Sequence, residues 1–389
     1  MSQKHLKIIL SAQYFIFFGV MGIVLPYFNL YCYHLNLSGL EIGIIGSTRS
    51  LLMIVCSLGW GIIADRYQNR RFLYIVCQFV YAVVSILFLY AHTFVEILCV
   101  TILASIFYSP LISFMEAFTM DLIGHNKHAY GPIRLWGSIQ FIVMVLCVGA
   151  LLNHFSYHII IHMIVIGGFL QALVALAIPK TTQKVEVKRQ SDFGVFKQSH
   201  VLIYLLGLFL MLFSHGTYYA FSSIHLEQMG ASSNEIAIFW ALGSISEIFV
   251  MLNSTRLFNR FRVESVLNFS FGVAALRWFL MFYSTSVIFS IMTQILHAVT
   301  YGAFHVAGIL YMDRCMPNAS KTTGQAVNNA IGYGLGIMAG TFLSGYLFEL
   351  VGTYYAFLFS GLIAVGAGSF MWFARHRLME PPDHMKRNG

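Results

Sequence analysis

Charge is scarce in this chain. Of its 389 residues, 10% are Asp, Glu, Lys or Arg, where a soluble domain carries roughly a quarter. That shortage excludes an ordinary water-soluble protein. Cysteine is sparse as well: Cys32, Cys56, Cys77, Cys99, Cys147 and Cys315 mostly stand singly inside apolar runs, never at C-x-x-C spacing. Such thiols read as small buried hydrophobes and imply neither a disulfide framework nor a metal site. No set of nucleophile, base and acid stands out either, so an enzyme is not expected.

What fills the space is hydrocarbon, with 58% of residues hydrophobic. Apolar runs of about 18 residues or more recur along the chain, each long enough to cross a core about 30 Å thick as a helix. Breaking the chain at its polar clusters predicts twelve spans, near 8–32, 41–63, 72–91, 95–122, 131–153, 157–178, 200–226, 234–255, 265–284, 287–312, 323–348 and 354–374. The first run, 8–31, is too long for a signal peptide and has no small-residue cleavage site, so it is kept as a span. The fold class expected is an all-α membrane protein.

The formal charge of +8 would suit a nucleic-acid partner, but its distribution decides otherwise. Alternate connections, starting from the N-terminus, hold Lys4 and Lys7; Arg66, Arg70 and Arg71; Lys127; Lys180, Lys184, Lys188, Arg189 and Lys197; Arg256, Arg260 and Arg262; Arg314 and Lys321; then Arg375, Arg377, Lys386 and Arg387. The other connections, near 33–40, 92–94, 154–156, 227–233, 285–286 and 349–353, hold none. By the positive-inside rule both termini are then cytoplasmic. The basic excess is topological, and no nucleic acid is expected.

The longest connection, "PKTTQKVEVKRQSDFGVFKQSH", divides the spans six and six. The expected organisation is an N-terminal six-helix bundle over 1–179, a cytoplasmic linker over 180–199, a C-terminal six-helix bundle over 200–375 and a cytoplasmic tail over 376–389. Six plus six around a central loop is the pattern of a duplicated transporter with substrate held near the midplane.

All but three of the 23 Lys and Arg are accounted for by the connections. Arg49, Arg134 and Arg277 lie inside spans, where an unpaired charge costs several kcal/mol. Glu116 and Arg134 stand nine residues either side of a turn near residue 125, about 13 Å from it at 1.5 Å per residue. Glu247 and Arg277 are each fifteen residues from a turn near residue 262. Each pair shares a level, so two ion pairs are expected, structural or functional. No acid matches Arg49.

His297, Tyr301 and His305 recur at i, i+4 and i+8 and make one polar stripe. His215, Tyr218 and Tyr219 share a face of the seventh span. Imidazole suits proton coupling because it titrates near neutral pH; packing histidines are the plainer alternative. A metal is not expected, since His297 and His305 are about 12 Å apart along a helix and lack a third ligand. Gln325, Asn328 and Asn329 either glue helices or line a cavity. Tyr27, Trp136 and Tyr219 are placed to stack on a substrate ring.

Between the second and third spans stands "GIIADRYQNRR". Gly61 would allow close helix approach, Asp65 can cap a helix N-terminus, and Arg66, Arg70 and Arg71 face an anionic leaflet. Here the chain resembles the major facilitator superfamily, whose loop signature is G-x-x-x-D-R-x-G-R-R, with Gln68 departing from the second glycine. The strings "YSPLISFMEA", "YGPIRLWGS", "YYAFSSIH", "LRWFLM" and "QILHAVTYGAFH" resemble the phenylpropionate permease-like branch, which is related to lactose permease.

The resemblance implies a twelve-helix major facilitator fold and a proton-coupled importer of a small organic acid, such as an aromatic carboxylate, working by alternating access. It implies Arg134 and Glu116 at the substrate, with Trp136, Tyr27, Tyr219 and Asn329 around it, and Glu247, Arg277, His297 and Glu116 handling the proton. Thr300 stands where lactose permease carries its proton-handling glutamate, so that residue cannot serve here. The alternatives are an oligosaccharide or nucleoside symporter, or an exporter of amphipathic compounds. No cofactor is implied beyond the proton as coupling ion. The expected partners are a small-molecule substrate and membrane lipid, with the protein a monomer in a bacterial inner membrane.

Overall fold

The computed structural model describes residues 3–67, 69–124, 129–179, 193–317 and 320–379. Gln68, Lys127, most of the linker with Lys180, Lys184, Lys188 and Arg189, and the tail with Lys386 and Arg387 lie outside them. Among the described residues there is no strand, and eleven helices are long and apolar enough to cross a membrane. They are α1 Lys4–His34, α2 Gly39–Tyr67, α3 Arg70–Leu89, α4 Phe94–Ile123, α5 Tyr130–Leu151, α6 His158–Ala175, α7 Ser199–Gln228, α8 Ser233–Arg260, α9 Val263–Tyr283, α10 Val287–Cys315 and α11 Thr323–Phe373. The last runs 51 residues where two spans are expected. Its hydrogen-bonded course is broken at Gly352, at φ 83 and ψ 173, a backbone region that glycine enters without strain.

The helix starts are written locally. Ser38 with Glu41, Thr93 with Glu96, and Ser232 with Glu235 form reciprocal caps, each hydroxyl accepting from the backbone of the acid and each acid accepting from the backbone of the hydroxyl residue. These capping boxes satisfy two orphan N–H groups apiece. All three fall in connections that carry no basic residue.

Inside α4 the helix is interrupted at Ser109 and Pro110. Proline has no N–H to return to the carbonyl four residues back, so the carbonyl of Ile106 lacks that partner and accepts instead from the Ser109 hydroxyl at 3.1 Å. Trp60 Nε1 on α2 donates to the same carbonyl at 2.8 Å. The gap in one helix thus becomes a bond between two.

The chain divides into two compact units. Unit 1 comprises 1–186 together with 222–241, and unit 2 comprises 187–221 with 242–389. In unit 1, Arg70 bridges Asp65 at 3.1 Å and Asp121 at 3.8 Å, while Arg71 donates to the carbonyls of Ile178 at 2.5 Å and Leu176 at 2.9 Å. The two arginines tie the ends of α2, α3, α4 and α6. The close approach expected at Gly61 is not made: a Cβ there would meet nothing within 4 Å.

Segment 222–241 is held in unit 1 by polar contacts. Ser223 donates to the carbonyl of Pro26 at 2.6 Å and accepts from Trp240 Nε1 at 2.9 Å. Glu227 meets His34 Nε2 at 2.9 Å and accepts from the Tyr157 hydroxyl at 2.5 Å, with the His34 and Tyr157 rings stacked at 3.5 Å. Burial, and then the Glu227 carboxylate beside it, hold the Tyr157 phenol well above its ordinary pKa. It therefore remains a proton donor to that carboxylate.

In unit 2, α7 crosses α11 backbone to backbone. A Cβ on Gly216 would lie 2.2 Å from the carbonyl carbon of Gly340, and one on Gly340 would lie 2.2 Å from the carbonyl oxygen of Phe213. Small residues at such crossings are what allow membrane helices to pack. Gly340→Val should force the helices apart, an overpacking change of at least about 1–3 kcal/mol. The expected result is a melting temperature several degrees lower for the purified protein, against no change for Gly272→Ala, where a Cβ meets open space.

Candidate functional site

Each unit contains a cluster built round an intramembrane arginine, fully buried in unit 2 and half-buried in unit 1. In unit 2, Arg277 on α9 is fully buried and α10 wraps it. Residues Thr293–Leu296 tighten into a 3-10 turn and Ala298–Ala303 widen into a π-helix, a departure from α geometry often found at functional positions. Arg277 Nη1 meets His297 Nδ1 at 2.7 Å and donates to Thr300 Oγ1 at 3.1 Å, and Nη2 donates to Gln294 Oε1 at 2.6 Å. The rings of Tyr218 and Trp278 lie 4.4 Å and 4.7 Å from its ζ-carbon.

This geometry fixes the histidine tautomer. A guanidinium only donates, so His297 Nδ1 must accept, and the proton of the neutral ring sits on Nε2. That nitrogen lies 2.7 Å from Glu247 Oε1 and donates to it. The direct Glu247–Arg277 ion pair expected from depth counting is therefore not formed; His297 stands between them and links the two. A proton can join Glu247 with the chain of bonds intact, but it can join His297 only if Arg277 releases Nδ1.

The polar stripe of α10 is present as stacked rings, His297 on Tyr301 at 5.1 Å and Tyr301 on His305 at 5.8 Å. His305 Nδ1 meets the Tyr333 hydroxyl at 2.6 Å, and Tyr219 stands edge-on to Tyr301 at 6.3 Å. His215, fully buried, has Nδ1 at 2.8 Å from the Met211 carbonyl, to which it donates, and its Nε2 has no partner.

In unit 1, Arg134 lies four residues into α5. Its ζ-carbon is 3.8 Å from the Phe18 ring centroid and 5.6 Å from that of Tyr14, and these ring faces supply negative potential to a desolvated cation. Glu116 and Arg134 are in electrostatic reach, with the Tyr130 phenol beside both. They do not form the ion pair expected from their shared level: among the described residues none pairs Arg134 with a carboxylate within 4.0 Å.

The remaining residues named from the sequence are scattered. Tyr27 is buried and gives its hydroxyl to the Val145 carbonyl at 2.7 Å. Trp136 is 49% exposed and lines an open groove with Lys4, Lys7 and Pro132. Asn329 is exposed, whereas Asn328 accepts from the Tyr204 hydroxyl at 2.6 Å. Sequence reasoning passed over Gln294, Tyr14 and Phe18. Gln294 is three residues before His297, and Tyr14 and Phe18 are four apart, so each shares a helix face with a partner that spacing could have exposed. Among the described residues no group of three His, Cys, Asp or Glu could hold a metal ion.

The pattern of a multi-span helical chain with one arginine-centred polar cluster per unit meets a family model over residues 7–359. The chain belongs to the MFS_1 like family. It is 26% identical over 391 residues to the uncharacterized transporter YwbF of Bacillus subtilis (strain 168), covering 97% of each chain. To the protein named probable 3-phenylpropionic acid transporter of Escherichia coli (strain K12) it is 26% identical over 352 residues, covering 88% of this chain and 91% of that one. The crystal structure of the nucleoside transporter NupG matches with a TM-score of 0.83 at 19% identity, covering 94% of this chain and 98% of that one; this likeness shows the fold. As a member of the MFS_1 like family, the protein is a multi-pass membrane transporter and not an enzyme.

The unit 2 cluster makes a thermodynamic prediction. Arg277→Met should leave the buried acceptors of Gln294, Thr300 and His297 without their donor, at a cost of about 1–3 kcal/mol, and take the cation away from Glu247. The double change Arg277→Met with Glu247→Gln should recover part of that loss. Thermal unfolding of the four proteins of the cycle checks the coupling, which should exceed the few tenths of a kcal/mol expected of independent sites.

Proposed function

We propose that this protein is a secondary active transporter that imports a small organic acid, an aromatic carboxylate being the best fit, together with a proton by alternating access. The observation that carries the reading is Arg134: a cation laid on the Phe18 ring, with Tyr14 alongside and no carboxylate within 4.0 Å among the described residues. A planar fork of donors beside an aromatic face is complementary to an arylalkyl carboxylate. The similarity to the E. coli protein named a probable 3-phenylpropionic acid transporter supports the same class.

In the cycle proposed, the substrate carboxylate takes the donors of Arg134, with Glu116 and Tyr130 adjusting beside it. The proton goes to Glu247 in unit 2, where the neutral His297 is already held by Arg277 and offers Nε2–H. Protonation at Glu247 removes the charge that His297 and Arg277 serve and so weakens the link from α8 to α10. The architecture proposed is twelve spans in two six-helix halves, 1–179 and 200–375, the turn between the last two at Gly352. The linker, the tail and both termini are cytoplasmic, the membrane is a bacterial inner membrane, and the protein works as a monomer.

A second reading, transport of a neutral solute such as a nucleoside, is favoured by the fold match to NupG. The two part on the ligand's charge. Purified protein in liposomes should accumulate 3-phenylpropionate when an inward proton gradient is imposed, and a protonophore should abolish the accumulation. Arg134→Lys should lower uptake at least tenfold through loss of the bidentate fork, and Glu247→Gln should leave binding while abolishing gradient-driven accumulation. Equal transport of the amide, 3-phenylpropionamide, would overturn the organic-acid reading in favour of the neutral one.

A further inference from the structure

Arg49 is the third guanidinium inside a span, and neither cluster uses it. It lies ten residues into α2, roughly 15 Å from the helix start at 1.5 Å per residue, which is mid-depth for a core about 30 Å thick. It is seven residues after Ile42 and four after Ile45, both buried, and therefore sits on the protein-facing stripe of α2; Leu51, Val55 and Leu58 occupy the exposed side. The side chain is nevertheless partly accessible. Among the described residues it makes no ion pair and no hydrogen bond. The titratable groups that act on it are the phenols of Tyr108 and Tyr81 and the thiol of Cys32, none of them an acid at neutral pH.

An arginine cannot shed its charge by losing a proton, so at this depth it is met by water or by an anion, and among the described residues no acid supplies the second. The neighbouring rings say what kind of anion fits. Tyr81 lies 4.9 Å from Tyr108, Tyr108 is stacked on Phe17 at 5.4 Å, and Phe17 meets Phe18 at 5.2 Å. Phe18 is the ring under Arg134. A chain of ring contacts therefore runs through unit 1 from Tyr81 and Tyr108, whose phenols act on Arg49, to Phe18 beneath Arg134.

We propose that Arg49, with the hydroxyls of Tyr81 and Tyr108, forms a second carboxylate site, and that an arylalkyl carboxylate bound there lays its ring on the Phe17–Tyr108 end of the strip. The inference rests on the organic-acid reading of Arg134 for its ligand class. Arg49 and Arg134 are then two stations for the same carboxylate, joined by a surface along which its ring keeps contact.

The test is binding to purified protein in nanodiscs, free of any gradient, with acetate, benzoate, 3-phenylpropionate and 3-phenylpropionamide as probes and thermal unfolding and calorimetry as readouts. The wild type should be stabilised by the aryl carboxylates and not by the amide. Arg134→Gln should keep a residual site, and adding Arg49→Gln should remove it. Arg49→Lys, which retains the charge and guards against a folding failure, should bind about tenfold more weakly than wild type because the planar fork is gone. Carboxylate affinity unchanged in Arg49→Gln, or no response to any carboxylate in the wild type, would overturn the site. Proton-driven uptake with Arg49→Gln binding as tightly as wild type sinks the second station alone. Arg49-dependent carboxylate binding without any uptake sinks the transport reading and leaves the site standing.

Discussion

A guanidinium placed in hydrocarbon keeps its charge, because its proton is held too tightly to be released at any physiological pH. Lysine, histidine and carboxyl groups in the same setting can escape by neutralising; arginine cannot. The polar architecture of this protein follows from that constraint. Arg277 is met by a histidine nitrogen, a hydroxyl, an amide oxygen and two ring faces, and α10 leaves regular helical geometry over the residues that supply them.

The two units solve the same problem differently. In unit 2 the cation is held by neutral acceptors at both Nη atoms, with Nε unpartnered among the described residues, and the balancing negative charge sits one residue further on, at Glu247 behind His297. The histidine is thereby fixed as a neutral relay. In unit 1 Arg134 rests against the rings of Phe18 and Tyr14, with Glu116 nearby but not bonded to it. An arginine held by side-chain acceptors suits a switch whose state is set by a proton, and one without them suits a ligand that brings its own charge; under the proposed function, coupling and recognition fall to different units.

Much of this was readable in the residues, and the failures have common causes. Hydropathy and the placement of basic residues located the helices, because both follow from the cost of moving polar groups into lipid. Depth counting put Glu247 level with Arg277 correctly, yet it reports height and not direction, so it missed His297 lying between them. For the same reason it put Glu116 opposite Arg134 without seeing that Tyr130 and Phe18 occupy the nearer positions. The Gly352 break leaves one 51-residue element where the polar count expected two, since a single glycine turns the chain without a run of polar residues. Gly61 fits its loop motif although, among the described residues, nothing lies within 4 Å of where its Cβ would be. Trp136 was named for its nearness to Arg134 and Asn329 as an amide among small residues; both are exposed.

The proline gap in α4 has a mechanical meaning. Pro110 cannot bond back to Ile106, and the Ser109 hydroxyl and Trp60 of α2 share that carbonyl instead. The helix is thus two rods meeting at a pin, and the pin is fastened from within by one hydroxyl and from outside by one indole. Glu116 rides on the rod beyond the joint. That rod can swing about Pro110 without breaking the main-chain bond an ordinary helix would have to break there, and Trp60 keeps the nearer rod registered to α2 while it does so.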